Sequence, residues 1–303
     1  MTDAIDADPV NDLVTLRDWL RWGVTAFEGA NLVYGHGTDN AVDEVAFLIL
    51  SALKLPIDDI GPWLDCRMTH AERRSLHDLL KARIATRKPA PYLIRSAWIA
   101  GHKFYVDERT IVPRSYIGEL LVRDRLASLI EDSGVIASIL ELCTGSGCLA
   151  VLAAEAFPNA KLMAIDISTD ALDVARINVA DYALNDRIRL LQSDLYESVP
   201  QERFDLIIAN PPYVTAQAVD AFPPEYRAEP ELAHLGGVDG LDLVRRILGQ
   251  AGEYLTDDGI LVVEVGQARE ALEADYPDLP FFWLDTQQSE GEVFALSARD
   301  LAP

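Results

Sequence analysis

The stretch D-L-I-I-A-N-P-P-Y, residues 205–213, ends an apolar run with side chains able to grip a planar amino group. Proline has a fixed φ and no N–H, and the residue before a proline is pushed to an extended conformation. Asn210 and Pro211 are therefore both held extended. The Asn210 side-chain carbonyl and the Pro211 backbone carbonyl form a rigid pair of acceptors, and Pro212 brings no N–H to compete for them. Tyr213 supplies a flat face on which a planar group can stack. Such a pair suits an N–H₂ group whose lone pair is delocalised. Gripping both N–H bonds aims that lone pair, and the acceptors stabilise positive charge growing on nitrogen during attack. With a sulfonium as methyl donor, neither a metal nor a strong base is required, and the proton can leave to water or to a nearby carboxylate. A purely structural turn is the plainer alternative.

A second constellation precedes it. In E-L-C-T-G-S-G-C-L-A, Thr144, Gly145, Ser146 and Gly147 sit where a strand turns into a helix, where the backbone must turn tightly and let a ligand approach. Asp166 ends the next strand, nineteen residues after Gly147, where a carboxylate can accept from ribose hydroxyls. Asp194 and Leu195, in Q-S-D-L-Y, follow the third strand within reach of an adenine ring. G-S-G-C-L-A also satisfies the looser dinucleotide form Gly-x-Gly-x-x-Ala, so a nicotinamide cofactor rivals S-adenosyl-L-methionine. Residues 141–157 hold no Lys or Arg, but dinucleotide sites can rely on a helix N-terminus instead. The loop alone leaves both open.

The elements that must position these residues alternate from about residue 117 onward. Strands are expected near 137–142, 161–165, 187–192, 204–209 and 259–265, and helices near 148–157, 169–182, 240–254 and 267–275. Alternation predicts an α/β fold with a parallel sheet covered on both faces. F-F-W-L and E-V-F-A-L-S, with no helix between them, should pair antiparallel at the sheet edge. Before this region, helical spacing at Leu13, Leu16, Trp19 and Leu20 predicts a first helix. A second should be capped by Thr38 or Asp39 and stopped by Pro56, and a third capped by Thr69 and ended before Pro89. Y-L-I-R-S-A-W-I-A and F-Y-V-D-E-R-T-I-V, separated by Gly101-His102, predict a β-hairpin. The expected organisation is a helical substrate-docking domain over 1–90, a hairpin linker over 91–116, and a catalytic domain over 117–303.

At 303 residues, half of them apolar, the chain can build about two cores without staples. No run is long and apolar enough for a membrane span. The start, M-T-D-A-I-D-A-D-P-V, has neither the charged nor the apolar region of a secretory signal. Three cysteines argue against a disulfide framework, Cys143 and Cys148 read as packing beside the loop, and the five histidines are too scattered for a metal site. These features predict a cytoplasmic protein. A net charge of -23 disfavours nucleic-acid phosphates and favours a basic protein partner. Residues 67–88 run against this trend, with seven Lys/Arg that read as a solvated face or, alternatively, a docking face.

From about residue 80 to 297 the chain resembles the S-adenosyl-L-methionine-dependent protein-glutamine methyltransferases related to HemK. F-Y-V-D-E-R, V-P-R-S-x-x-G-E-L, E-L-C-T-G-S-G-C, N-P-P-Y and E-Y-R-A-E-P-E-L-A with G-G-V-D-G-L resemble the branch that modifies a glutamine of large-subunit ribosomal protein L-three. The sister branch acts on peptide release factors and usually carries Gly-Thr-Gly-Thr-Gly and Pro-Arg-Pro-x-Thr-Glu, neither present here. The resemblance implies a Rossmann-like seven-stranded methyltransferase sheet. It also implies that Thr144, Gly145, Ser146, Gly147, Asp166, Asp194, Leu195 and Asn210 hold the cofactor, and that Asn210, Pro211, Pro212 and Tyr213 hold the glutamine amide. Arg114 and Glu119 match the segment before the sheet. The implied partner is basic ribosomal protein L-three or a ribosome assembly intermediate. Tyr116 stands where the family often has Pro, and Q-S-E-G-E-V-F replaces a more glycine-rich turn; both are expected to reshape surfaces rather than chemistry. Release factors, an adenine amino group of nucleic acid, and a nucleotide-binding module without catalysis are the competing readings.

Overall fold

The computed structural model describes residues 8–123, 126–287 and 289–301. The acidic start before residue 8 and Gln288 of the Q-S-E-G-E-V-F turn lie outside the described residues. The backbone forms two compact units, one running to Ser96 and including Pro223–Ala228, the other Ala97–Phe222 with Glu229 onward. No sequence feature assigns 223–228 to the smaller unit.

The smaller unit is helical: α1 (Pro9–Asp12), α2 (Leu16–Gly29), α3 (Ala41–Ala52), α4 (His70–Thr86) and α5 (Ala90–Ile94). Thr15 and Thr69 cap α2 and α4 in reciprocal capping boxes with Asp18 and Glu72. The second helix is capped by Asn40, not by Thr38 or Asp39, its side chain accepting from the Asp43 N–H. Trp19, Phe27, Val45, Leu48, Leu76 and Leu80 are buried together at the centre. Y-L-I, expected as strand, is the end of α5, because Pro91 falls in a first helical turn, where its missing N–H costs nothing.

The larger unit opens with the hairpin, shorter than expected: β1 (Ala97–Ile99) pairs antiparallel with β2 (His102–Phe104) across Ala100 and Gly101, both at positive φ. Pairing stops at Tyr105 because its N–H and C=O are both taken by the Asn178 side chain, at 2.7 and 3.0 Å. The other elements are α6 (Tyr116–Arg123), β3 (Ser138–Leu142), α7 (Cys148–Ala156), β4 (Lys161–Asp166), α8 (Thr169–Asp181), β5 (Ile188–Gln192), β6 (Phe204–Ala209), α9 (Ala216–Asp220), α10 (Asp242–Tyr254), β7 (Leu255–Glu264), α11 (Arg269–Asp275), β8 (Phe282–Leu284) and β9 (Val293–Ser297).

The seven-stranded sheet has the order β5-β4-β3-β6-β7-β9-β8. β3 to β7 run parallel, and β9 and β8 add antiparallel at one edge. Alternation is hidden in strands buried on both faces. Ile139, Leu206 and Ile208 join the layer of α6, α7 and α8, whereas Leu140, Ile207 and Ala209 join that of α10. The chain winds outward from β3 through β4 to β5, then returns to β6 on the other side of β3. That reversal opens a crevice at the carboxyl ends of β3 and β6. Leu142 is in register with Ala209, and Ala209 with Val263, so Cys143, Asn210 and Glu264 each stand one residue beyond a paired end.

The basic run 67–88 is not a uniformly solvated face. Arg83 is fully buried in the helical unit, its Nε donating to Glu44 Oε1 at 2.7 Å and its Nη1 3.7 Å from Glu225 Oε1. Arg87 also pairs with Glu225, at 2.8 Å. Burying three charges is tolerable only while they compensate one another. Replacing Arg83 by Ala leaves Glu44 buried without its guanidinium and Glu225 with Arg87 alone, and should destabilise the helical unit by about 3–5 kcal/mol. Urea unfolding followed by tryptophan fluorescence checks this, and a midpoint equal to wild type would contradict it.

Candidate functional site

The glycine loop leaves β3 with three residues in the left-handed region, Cys143, Gly145 and Gly147. A Cβ at Gly147 would lie 3.0 Å from Ala175 Cβ, so both its positive φ and its approach to α8 demand glycine. At Gly145 the space is open, with no atom within 4 Å of a Cβ position. The loop is stitched to its neighbours. Gly145 N–H donates to Asp166 Oδ2 at 2.8 Å, Thr144 N–H to the Ile165 carbonyl at 2.8 Å, and Asn178 Nδ2 to the Ser146 carbonyl at 2.8 Å.

The crevice is a cavity of about 510 Å³, within the range of small-molecule sites. Cys143, Gly145, Asp166, Asp194 and Leu195 line it from one side, Asn210 and Pro212 from the other. Ile167, Ala171, Leu235 and Leu243 make the walls largely apolar. Thr144 and Ser146 are buried behind the loop, and Pro211 and Tyr213 do not line the cavity. Burial pushes the Asp166 carboxyl above the usual range, opposed by N–H donors from Ser168 and Gly145. The cations in the wall are committed: Arg109 is bidentate to Asp107, which it holds down at about 2, and Arg246 Nη2 lies 2.9 Å from Asp194 Oδ1.

Asn210 donates its amide N–H to the Arg114 carbonyl at 3.4 Å, which leaves Oδ1 as its free acceptor. Arg114 is itself held. Its guanidinium is bidentate to the buried Glu229, at 3.0 and 2.6 Å, and Glu229 also accepts from Val112 N–H at 2.8 Å and faces His234 Nε2 at 3.0 Å. On the next residues, Ser115 Oγ and Tyr116 N–H donate to Glu264 Oε2, at 2.6 and 2.9 Å, and Tyr213 Oη donates to Oε1 at 3.1 Å. Position 116 therefore contacts a buried carboxyl through its backbone N–H, which a proline would lack, so its contacts are not confined to the surface. Tyr213 is packed so closely that a Cβ on Gly236 would lie 2.7 Å from its Cα, and one on Gly266 2.7 Å from its ring.

Residues 124–222 match the family described as the methyltransferase small domain. Over 294 residues the chain is 51% identical to the ribosomal protein uL3 glutamine methyltransferase of Burkholderia pseudomallei, covering 95% of both chains. It is 51% identical to the one from Bradyrhizobium diazoefficiens, covering 96% of this chain and 92% of that one. The Neisseria meningitidis serogroup B protein of the same name is 49% identical, covering 96% and 95%. This chain belongs to the ribosomal protein uL3 glutamine methyltransferase family. In solved structures, the hMettl16 catalytic domain in complex with MAT2A 3'UTR hairpin 6 shares the fold, with a TM-score of 0.50 at 15% identity over 75% of this chain and 80% of that one.

Three buried carboxylates of the larger unit escape sequence reasoning: Glu141, Glu229 and Glu264. The available signal was an acidic residue inside or directly after an apolar strand, in S-I-L-E-L and L-V-V-E-V. Such a residue is buried whatever its charge and needs donors. Glu141 accepts from Thr144 Oγ1 at 2.6 Å beneath the loop, and burial pushes its carboxyl up to about 8. An acid whose folded-state value lies above its unfolded one binds more protons when folded, so its ionisation costs stability as pH rises from about 4.5 toward 8. Glu141→Gln imitates the neutral acid and removes that loss. Its urea midpoint relative to wild type should climb between pH 5 and 8, by on the order of a few kcal/mol in stability. Parallel curves would contradict the assignment.

Proposed function

We propose that the enzyme methylates the side-chain amide nitrogen of a glutamine in ribosomal protein uL3, with S-adenosyl-L-methionine as donor. What carries this reading is identity near one half, over nearly the whole chain, to proteins of that name from several bacteria. The geometry supports it. Asn210 presents a fixed acceptor at the carboxyl edge of the sheet, beside the cavity and next to two prolines.

Thr144, Gly145, Ser146 and Gly147 would hold the donor with Asp166, Asp194 and Leu195, and Asn210 would border it: open backbone at Gly145, a carboxylate at the end of β4, and an apolar shelf at Leu195. The bound sulfonium supplies an electrophilic methyl group. Asn210 Oδ1 and the Pro211 carbonyl accept the two N–H bonds of the glutamine amide, turning its lone pair toward the methyl, and Pro212 and Tyr213 bound the slot. Positive charge growing on nitrogen is stabilised by acceptors already in place, so little reorganisation is needed at the moment of transfer. The amide proton then leaves to solvent. A chain with a net charge of -23 attracts a basic ribosomal protein, free or in an assembly intermediate, and repels RNA phosphates. In this reading the protein works in the cytoplasm. The helical segment 1–90 docks the substrate, 91–116 links it through the hairpin, and 117–303 performs the transfer.

Mass spectrometry of uL3, a release factor and an RNA, each incubated with enzyme and donor, tests the substrate. One methyl on a uL3 glutamine alone is expected; a methyl on either other molecule would overturn it. Asn210→Ala should lower kcat by about 100- to 1000-fold. Donor affinity, measured calorimetrically, should stay within about threefold, since Asn210 grips the acceptor amide. An equal fall in donor affinity would remove Asn210 from its role.

A further inference from the structure

Besides its close packing against Gly236 and Gly266, Tyr213 is held by a side chain 51 residues away. Glu264 ends β7, is 1% exposed, and stands beside Asn210 by register, since Val263 pairs with Ala209. Its polar contacts among the described residues are with donors: Tyr213 Oη, Ser115 Oγ and the Tyr116 N–H, with the Ile117 N–H also turned toward it. Only the ionised carboxylate accepts from all of these donors at once; the neutral acid must turn one hydroxyl, of Ser115 or Tyr213, from donor to acceptor, since a backbone N–H cannot be turned. The neighbouring charges are the Glu292 carboxylate, which faces both Tyr116 and Tyr213, and the Arg114 guanidinium near Tyr213.

Building on the uL3 reading above, we propose that Glu264 is a positioning residue for methyl transfer: as a carboxylate it orients the Tyr213 ring, and it ties that ring to the start of α6. The phenol O–H donates toward Glu264, so the phenol oxygen carries extra negative charge, and the ring is fixed and made more electron-rich beside the reacting nitrogen. Protonation at Oε1 turns that bond round, the carboxyl O–H donating to the Tyr213 oxygen, which withdraws the extra negative charge from the ring. Burial raises the Glu264 carboxyl to about 7, so the change falls within the working range. The competent form lies above that value, and turnover is lost as pH falls through it. In Glu264→Gln the amide oxygen can still accept from Tyr116 and Ser115, but the amide N–H must point at the Tyr213 oxygen and reverses that bond.

The test is kcat and KM for uL3 from pH 5.5 to 8.5 in wild type, Glu264→Gln, Tyr213→Phe and the double variant, with donor affinity measured separately. Glu264→Gln should lower kcat by about 10- to 100-fold at pH 8, with KM and donor affinity within about threefold, and its kcat should be flat across the range. Wild-type kcat should rise through pH 7. The double variant should be no slower than about twofold below the worse single variant, because both cut one bond. A Glu264→Gln enzyme within twofold of wild type, an unchanged acidic limb, or effects that multiply in the double variant would overturn the proposal. If Glu264→Gln fails to fold, Tyr213→Phe decides alone: its kcat must lose the rise through pH 7, and a retained rise overturns the proposal. Should wild type not methylate uL3 at all, the substrate reading fails. The Glu264–Tyr213 coupling is then read from urea unfolding of the same four proteins, and zero coupling would overturn it.

Discussion

A carboxylate without water must be surrounded by donors, and that requirement fixes the chain between Val112 and Tyr116. Glu229 takes the Val112 N–H and the Arg114 guanidinium; Glu264 takes the Ser115 hydroxyl and the Tyr116 N–H. Two of these contacts hold backbone N–H groups and two hold side chains, so the stretch is anchored on both sides of the Arg114 carbonyl. The Arg114 carbonyl is thereby held still, and it receives the Asn210 amide N–H. Two acidic residues supplied by distant segments thus bear on the Asn210 amide through its one 3.4 Å hydrogen bond to that carbonyl. Losing either acid would cost more than its own bonds, because the freed donors would also be buried.

The sheet explains why these residues can meet. The strand order reverses at β3 and β6, so the glycine loop and N-P-P-Y leave adjacent strands at the same edge. β7 lies next in line and delivers Glu264 one residue beyond the pairing. Beyond it the antiparallel β9 pairs Val293 with Glu264, which keeps that strand end from fraying into solvent. Side chains with no sequence proximity therefore inherit their spacing from the interstrand distance, which is the same in every such sheet.

How much of this is legible in the sequence follows from the range of the forces. Strands β3 to β6 were found within a residue, and Thr69 was found as a cap, because apolar runs and capping boxes act within a few positions. N-P-P-Y was found because proline dictates its own backbone. The cap of α3 was misplaced by one or two residues, among polar neighbours of nearly equal capping ability. Y-L-I was read as strand although Pro91 lies one residue before it. Glu229 and Glu264 were missed for a different reason. Their donors lie 115 and 149 residues away, and no local pattern records a partner at that distance. Nothing local sets Arg83 apart from the other cations of 67–88 for the same reason, since Glu44 and Glu225 are distant in sequence too.

The charge balance around the cavity bears on which cofactor it suits, a question the glycine loop alone leaves open. Among the lining residues, the cations Arg109 and Arg246 are each occupied by an aspartate, and Asp166 adds an acidic wall. A diphosphate placed there would meet three aspartates, Asp166, Asp194 and Asp242, with little beyond a short run of backbone N–H groups and the two paired arginines to offset them. The Gly145 N–H is already spent on Asp166, which weakens that offset further. A sulfonium reverses the sign of the same interactions. It gains from the carboxylates what a diphosphate would lose, and it does so in an apolar cavity where charges are poorly screened. The acidic surroundings that disfavour nucleic acid at the surface thus favour a cationic methyl donor inside.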